Sequence, residues 1–337
     1  MAKLKNNIGP VWVIAEQIDC RLLAVSTQLV GQARKLADEL HTSVQTILLG
    51  DDIERQAQAL ITAGADRVYL GDAPKLAFYH PETYTEIIVN LAERHKPEII
   101  LLGSTAMGRE LAPLVAARLK TGLTAHCIDL VLDANHNLEQ RIPAYGGLLS
   151  IICPQRRPQM ATVAKGVFAA PEPDENRSGE IVAIDVPKIV TDRIQTLEVV
   201  REEPAGVPLE SADIVVAGGA GAGDRDGWEK IAALADVLNA ALGSTRPAVD
   251  EGWTELATMI GQSGKMVSPQ LYIGVGLSGE QQHLVGVVDA KVMVAINSDD
   301  KSPVFDQVDY GIVDDCREFV PVLIQKIEDY LEKKVTC

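Results

Sequence analysis

The sequence has no apolar run that approaches the roughly 20 residues of a membrane-spanning helix, so we expect no membrane insertion. Its five cysteines are dispersed without a C-x-x-C pair, and its six histidines do not share a metal-ligand spacing with them. A disulfide framework and a metal site are therefore not expected. Positive charge is also scarce: 31 Lys and Arg against 47 Asp and Glu give −16, which argues against nucleic acid as a partner.

The N-terminus lacks the long apolar region and cleavage site of a signal peptide, and it is not an Arg-rich presequence. With the cysteine usage, this predicts a cytoplasmic protein. What the chain does have is 337 residues of ordinary globular composition, 47% hydrophobic and 23% charged. That length exceeds one typical domain, so we expect two.

The first third of the chain alternates between buried-type strands and amphipathic helices. Ser26 is predicted to be the N-cap of the first helix, whose apolar face runs from Leu29 to Leu40. This alternation indicates a parallel sheet covered by helices on both faces. Strands are predicted at 11–15, 44–49, 67–70 and 98–102, and further helices at 52–63, 81–97 and 108–119.

Between residues 121 and 200 the pattern changes to short strand candidates broken by Gly and Pro, with no room for helices. We expect antiparallel edge strands that extend the same sheet. The segment 202–208 has the Pro, Gly and Glu composition of a linker, which predicts domains at 1–204 and 209–337. The strand candidates lie at 128–132, 138–143, 148–153, 160–163, 181–186 and 194–199.

The second half restarts the alternation with a strand at 213–217, a glycine cluster at 218–223 and a helix at 226–242. A strand at 271–273 leads into G-V-G-L-S-G at 274–279, then a helical run through His283, a strand at 291–296 and a final helix at about 319–334. Strand, G-x-G-x-x-G, helix, strand is a dinucleotide-binding arrangement. However, Asn297 stands where an NAD site has Asp or Glu, which disfavours NAD.

Three other motifs have simpler explanations. G-Q-S-G-K at 261–265 resembles part of a Walker A loop, but Met266 stands where Ser or Thr must hold Mg²⁺. Ser278 lies in G-L-S-G-E, which is not the G-x-S-x-G of a hydrolase. The loop 103–109 could cradle a phosphate, but we favour a plain helix start in which Arg109 faces a partner.

Several short motifs are far more specific than any glycine pattern. They are I-G-Q-S-G-K at 260–265, G-L-S-G-E-Q-Q-H at 276–283, A-I-N at 295–297, P-V-F at 303–305 and D-Y-G-I-V-D-D at 309–315. Together they closely resemble the α subunit of electron-transfer flavoproteins of the bacterial type. The first half is similar to the same family in V-W-V-I-A-E-Q at 11–17 and Q-M-A-T-V-A-K-G-V-F at 159–168, so the resemblance covers nearly the whole chain.

The resemblance implies an α/β fold of two domains, each built on a mainly parallel sheet flanked by helices. The first would contact a partner subunit, and the second would be a Rossmann-like domain that binds one FAD. Arg246 matches an arginine over the flavin ring, where a fixed cation would stabilise the reduced ring's negative charge. Ser263 matches a hydroxyl that bonds flavin N5, and His283 matches a histidine near the pyrimidine-ring carbonyl.

The other cofactor contacts implied by the resemblance divide into two groups and a remainder. Ser278, Gly279, Gln281 and Gln282 match the phosphate and ribityl path. Asn297 and Asp315 match the adenosine end. The set is completed by Thr245, Ile260, Gly261, Gln262, Glu280 and Cys316. One departure is Ala220, because many relatives have an arginine there that contacts FAD; Arg225 is a candidate replacement.

The resemblance further implies a redox carrier without catalytic residues of its own, more a module than an enzyme. Its partner would be a β subunit holding AMP or a second FAD, in a heterodimer that exchanges electrons with an acyl-CoA dehydrogenase-type flavoenzyme. With a second FAD, the pair could bifurcate electrons from NADH and send one to ferredoxin. The bacterial-type sequence leans towards that bifurcating subgroup.

Two alternatives stay open. A stand-alone FAD- or NAD-dependent oxidoreductase would act on a small substrate without a second subunit, although the sequence offers no acid–base pair for it. A nucleotide-sensing α/β protein would use the glycine loop at 103–109.

Overall fold

The computed structural model describes residues 8–144, 147–186, 196–200, 206–287 and 290–335. Contacts divide the chain into two units, Met1–Val199 and Val200–Cys337. Both units are α/β, with a parallel sheet flanked by helices, and this confirms the predicted fold class. Among the described residues, no helix is long and apolar enough to cross a membrane.

Unit 1 contains twelve strands and four α-helices in its described part. The strands are β1 (Val11–Ala15), β2 (Gln17–Ile18), β3 (Arg21–Leu22), β4 (Val44–Gly50), β5 (Arg67–Asp72), β6 (Ile99–Gly103), β7 (Leu123–Cys127), β8 (Asp129–Leu132), β9 (Leu138–Ala144), β10 (Gly147–Ile152), β11 (Gln159–Val163) and β12 (Glu180–Ala183). The helices are α1 (Ala24–Leu40), α2 (Ala57–Thr62), α3 (Pro81–His95) and α4 (Ala106–Leu119).

Seven of these strands form one sheet in the order β12-β5-β4-β1-β6-β11-β7, and every pair in it is parallel. Its central strands are mostly apolar, and both faces of the sheet are buried: α1 and α2 pack on one face, and α3 and α4 on the other. β1 is completely buried, and Glu16 follows directly at its carboxyl end.

Three predictions for unit 1 were wrong in detail. The strands at 128–153 do not extend the main sheet but form a separate antiparallel sheet, β10-β9-β8. The strand predicted at 160–163 returns to the main sheet as β11, between β6 and β7, because it is buried on both faces. Ser26 is not a cap, since α1 begins at Ala24 and the Ser26 hydroxyl instead donates to the Glu16 carbonyl at 3.0 Å.

The last predicted strand of unit 1, at 194–199, begins outside the described residues, and its described part, 196–199, is not a strand. The strand predicted at 181–186 is the shorter β12, which lies beside β5 at the far edge of the sheet. β7 was missed, because the burial pattern of L-T-A-H-C is irregular and its histidine, His126, has a positive φ.

Unit 2 is a smaller parallel sheet in the order β14-β13-β15-β16-β17. α5 and α8 pack on one face around Trp228 and Val320, while loops and Ile260 cover the other face. Its elements are β13 (Ile214–Gly218), α5 (Arg225–Val237), β14 (Ala241–Ser244), α6 (Arg246–Asp250), β15 (Leu271–Val275), α7 (Gln281–Leu284), β16 (Val292–Asn297), β17 (Tyr310–Val313) and α8 (Cys316–Val335).

Two differences from prediction affect the site. The helix predicted at 226–242 ends at Val237, because Asn239 has a positive φ of 48° and the chain then enters β14. The helix after G-x-G-x-x-G is a single turn, Gln281–Leu284. A helix that short has little macrodipole, so backbone N–H groups of the turns, more than a helix end, must serve any bound phosphate.

Candidate functional site

A cavity of about 660 Å³ opens at the carboxyl ends of the unit 2 strands. β14 lies on one side of β13 and β15 on the other, so the strand order reverses here. Such a switch point is the usual ligand position in open parallel sheets. The cavity is lined by residues 220–221, 245–247, 259–264, 276–280, 282–283, 297, 299 and 302–303.

Two glycine turns make the floor of this cavity. The Gly221 amide donates to the Gly276 carbonyl at 2.7 Å, and the Gly219 amide donates to Val275 at 2.9 Å. A Cβ on Gly221 would lie 2.7 Å from the Gly276 backbone, closer than any real contact allows. The two glycine clusters in the sequence are therefore packed against each other, and only residues without a side chain fit.

The turn at 260–265 forms one wall. The Gly261 amide donates to the Lys265 carbonyl at 3.1 Å, and Gly261 has a φ of 135° that favours glycine. The Lys265 ammonium forms an ion pair with Glu210 at 3.3 Å. Lys265 is thus paired with the Glu210 carboxylate, and the segment 260–265 is a tight turn rather than a Walker A loop.

Arg246 provides the permanent positive charge of the cavity wall. It follows β14 as the first residue of α6, and its Nε donates to Asp250 at 2.8 Å. The side chain is 66% exposed, and the bond to Asp250 raises its pKa further. Among the described lining residues it is the one lysine or arginine, and Glu280 and Asp299 carry the carboxyl groups of the lining.

His283 enters the cavity wall as a buried, neutral ring. Its Nε2 lies 2.6 Å from the Tyr272 hydroxyl, and its Nδ1 lies 3.1 Å from the Ile260 carbonyl. Burial lowers the pKa of His283 to about 4, against the opposing effect of the bond to Ile260. Tyr272 was missed as part of this site, although a tyrosine inside a buried strand signals a hydroxyl that needs a partner.

Asn297 lies in the wall but is already engaged. Its amide nitrogen donates to the Leu277 carbonyl at 2.9 Å and to the Ser302 hydroxyl at 3.1 Å. Its side-chain oxygen accepts from the Asp299 amide at 2.9 Å. Asn297 therefore braces the glycine turn after β15 against the loop after β16, and this explains why an acid is absent from the position.

Twelve of the fifteen predicted cofactor residues line the cavity, and three do not. Gln281, Asp315 and Cys316 lie outside its lining. Asp315 accepts from the Arg317 side chain and amide, and the pKa of its carboxyl is lowered to about 2 mainly by that side-chain bond. The Cys316 thiol donates to the Gly221 carbonyl at 3.4 Å, so it supports the cavity floor from behind. The twelve are Thr245, Arg246, Ile260, Gly261, Gln262, Ser263, Ser278, Gly279, Glu280, Gln282, His283 and Asn297.

Ala220 also lines the cavity, whereas Arg225, the candidate replacement for the missing arginine, lies outside the lining. Arg225 is exposed, donates to the Gly252 carbonyl at 3.3 Å and lies 3.7 Å from Glu229. The Nη1 atom of Arg317 lies about 3.5 Å from a Cβ placed on Gly223, and the Arg317 side chain donates to Asp315.

The residues present fit a flavin dinucleotide. Apolar side chains of Pro247, Met259, Ile260 and Leu277 offer surface to a flat ring, while the glycine floor lets backbone approach a diphosphate closely. Ser263, Ser278, Gln262 and Gln282 provide short polar contacts along the wall. The lining has one arginine against two carboxyl groups, so backbone amides must carry most of the contact with phosphate.

Fold and cavity together define a protein with a Rossmann-like nucleotide-binding unit joined to a second α/β unit. The family model described as electron transfer flavoprotein domain matches residues 11–189, and that of the electron transfer flavoprotein FAD-binding domain matches residues 208–288. The chain therefore belongs to the electron transfer flavoprotein family, as an α subunit, and its function is electron transfer.

Curated relatives agree over nearly the full length. The electron transfer flavoprotein subunit alpha of Thermoanaerobacterium thermosaccharolyticum is 44% identical, over 96% of this chain and 99% of its own length. The acryloyl-CoA reductase electron transfer subunit beta of Anaerotignum propionicum is 35% identical, over 96% and 97%. The lactate dehydrogenase (NAD(+),ferredoxin) subunit LctC of Acetobacterium woodii is 36% identical, over 94% and 77%.

Proposed function

We propose that the cavity of unit 2 holds one FAD, and that the chain works as a heterodimer with a β subunit that carries AMP or a second FAD. The cavity at the sheet's switch point is the observation that carries the proposal, because its glycine floor and apolar walls suit a flavin dinucleotide. A bound flavin would supply the capacity to take up and release electrons. The protein would supply the binding, the orientation and the charge around it.

Within this proposal, the chain's own residues have separate tasks. Arg246 places a cation at the mouth of the cavity, where it stabilises negative charge. Ser263 offers a hydroxyl donor from the turn at 260–265, and His283 offers a neutral ring from the buried wall. Ser278, Gly279 and Gln282 line the route along which the dinucleotide would extend. Asp315 and Cys316 act from outside the lining, by fixing α8 and the glycine floor.

Electron partners are proposed from chemistry and from relatives. An acyl-CoA dehydrogenase-type flavoenzyme is the expected exchange partner, and one relative is named for acryloyl-CoA reductase. A second relative is named for NAD(+) and ferredoxin, which supports bifurcation from NADH through the β subunit. The flavin count of the heterodimer tests this directly: two FAD per dimer are expected for bifurcation, and one FAD with AMP would exclude it.

Partner contact is assigned to unit 1, where β9 and β10 pair as an antiparallel hairpin. Leu148, Leu149 and Ile152 on β10 are 64%, 43% and 40% exposed, so both sides of this strand present large apolar side chains. Exposed apolar surface of this kind marks protein contacts.

Leu148→Arg should weaken co-purification with the β subunit at least about tenfold, because it buries a charge in the interface. Val322→Arg, at a 56% exposed position on α8, is the control and should have no effect.

The decisive experiment for the flavin site is co-expression with the β subunit of the same genome. The complex should be yellow, with one FAD assigned to this chain after denaturing release. Ala220→Trp should lower that FAD content several-fold by filling the cavity, whereas Ala170→Trp, on an exposed loop, should not. A colourless complex, or full FAD in the Ala220→Trp variant, would contradict the assignment.

The structure also bears on the nucleotide-sensing alternative. At the switch point of unit 1, the Glu16 carboxyl group lies at the end of β1, and the Thr105 hydroxyl donates to it at 2.6 Å. A Cβ on Gly103 would lie 2.6 Å from Glu16 Oε1, so the carboxyl group fills the space beside the loop. Thr105 in turn accepts from the Gly108 amide as the N-cap of α4, which is the plain helix start that the sequence favours.

A further inference from the structure

Tyr272 makes the closest polar contact to His283. It lies in β15, in the middle of the unit 2 sheet, and is completely buried. Its hydroxyl lies 2.6 Å from His283 Nε2, on the side of the ring away from the Ile260 carbonyl, which lies 3.1 Å from Nδ1. Both ring nitrogens are therefore engaged by the protein.

The chemistry of the two partners fixes the ring's protonation. A carbonyl oxygen can only accept, so Nδ1 must carry the proton of its bond to Ile260. In a neutral ring Nε2 is then the acceptor, and the Tyr272 hydroxyl donates to it. A neutral ring with the opposite tautomer would leave Nδ1 facing the carbonyl without a hydrogen, which is unfavourable in a buried site.

A hydroxyl group can hydrogen-bond to His283 in either protonation state of the ring, because it can both donate and accept. If His283 takes up a proton at Nε2, the bond reverses, and the Tyr272 oxygen accepts instead of donating. A phenylalanine could do neither. The contact can thus persist in both protonation states, while the burial of both rings opposes the charged state in the absence of a nearby negative group.

We infer that Tyr272 is a positioning residue of the cavity wall, which holds His283 neutral in the Nδ1–H form and supports it when it gains a proton. The first part stands on the geometry of the described residues alone. The second part rests on the proposed flavin site, because the negative charge that would draw the proton to His283 is that of a reduced flavin.

The first test is ¹⁵N NMR of the full chain labelled at histidine, with the His283 signals assigned by their loss in His283→Gln. We expect a protonated Nδ1 and an unprotonated Nε2 across pH 5.5 to 8 (roughly, given an imidazole shifted below its usual range). Finding the proton on Nε2, or an even mixture of tautomers, in the wild type would overturn the inference. His283→Gln serves only for the assignment, and the tautomer is read from the wild type.

The second test is Tyr272→Phe. Without the hydroxyl, Nε2 loses the hydrogen bond that its lone pair accepts, so its ¹⁵N signal should shift towards that of an unbonded ring nitrogen, while Nδ1 keeps its proton on the Ile260 carbonyl. Tyr310→Phe removes a hydroxyl that is 65% exposed on β17 and should leave the His283 signals unchanged. Identical spectra for wild type and Tyr272→Phe would also overturn the inference.

The third test uses the flavin-loaded heterodimer and follows the flavin reduction potential against pH. Tyr272→Phe should move the pH at which the slope changes, while Tyr310→Phe should not. If the complex binds no flavin, the proposed function fails but the tautomer result still decides the first part. If flavin binds and the slope change does not move, the second part fails alone.

Discussion

Arg246 is the residue on which the electrostatics of the cavity depend. It is the one permanent cation among the described lining residues, which also include two carboxyl groups. Its ion pair with Asp250 is exposed on both sides, 66% and 58%, so it adds little to folding stability. A change at this position should therefore act on the bound cofactor much more than on the fold.

Replacing Arg246 by alanine should lower the reduction potential of the bound flavin, because the cation that offsets its negative charge is removed. We expect a shift on the order of 50 mV, as for one unit charge at short range in a partly solvated site. Potentiometric titration of the heterodimer measures it. Arg246→Lys keeps the charge and should retain most of the potential. An unchanged potential in Arg246→Ala would place the residue away from the flavin.

At this scale the sequence identified lining residues well, but not their partners. Arg246, Ser263 and His283 were found through family motifs, whereas Tyr272 was not, because its contact with His283 depends on where β15 meets the turn before β16. Asp315 and Cys316 are predicted to contact the cofactor; they lie outside the cavity lining, and the Cys316 thiol donates to the Gly221 carbonyl of the floor.

Elements buried on both faces were the most predictable. β1 and β6 are unbroken apolar runs, as interior parallel strands require, and β4 is apolar except for Gln45 and Thr46. The individual strands β8, β9 and β10 were predicted, but their separate sheet was not. Short alternating strands do not specify which other strands they pair with. β17 was missed as a strand, since Y-G-I-V is largely exposed at the edge of unit 2.

The contact between the two glycine turns gives a prediction for this pair of elements. In Gly221→Ala, the new Cβ meets the Gly276 backbone at 2.7 Å, and backbone cannot swing aside as a side chain can. Unit 2 should lose about 3 kcal/mol of unfolding free energy and most of its FAD. Urea unfolding followed by Trp228 and Trp253 fluorescence measures the loss. Gly147→Ala, with nothing within 4 Å of its Cβ, should change stability by less than about 0.5 kcal/mol.

At the scale of the whole molecule, unit 1 buries Glu16 and unit 2 buries His283, and the pKa shifts of these two groups have opposite consequences. In unit 1, burial raises the pKa of Glu16 to about 7, against the opposing bond from Thr105. In unit 2, burial lowers the pKa of His283 to about 4. Burial favours the neutral form of each group, which is the protonated acid for Glu16 and the deprotonated base for His283.

The sign of each effect follows from proton linkage. A buried acid with a raised pKa stabilises the folded state fully when the pH is below its unfolded pKa of 4.5. This stabilisation is lost as the pH rises through the folded pKa of about 7. A buried base with a lowered pKa stabilises the folded state fully when the pH is above its unfolded pKa of 6.5. This stabilisation is lost as the pH falls through the folded pKa of about 4. Raising the pH from 4.5 to 6.5 should therefore weaken unit 1 and strengthen unit 2.

Two variants isolate these contributions. Glu16→Gln mimics the protonated acid, so its stability relative to wild type should increase from pH 4.5 to 7 by about 3 kcal/mol. His283→Gln cannot titrate, so its stability relative to wild type should fall by a similar amount from pH 4 to 6.5. Urea unfolding of the full chain measures both, with Trp12 reporting on unit 1 and, in a Trp12→Phe background, Trp228 and Trp253 reporting on unit 2. Parallel pH profiles for a variant and its wild type would show that the group has the same pKa in the folded and unfolded states.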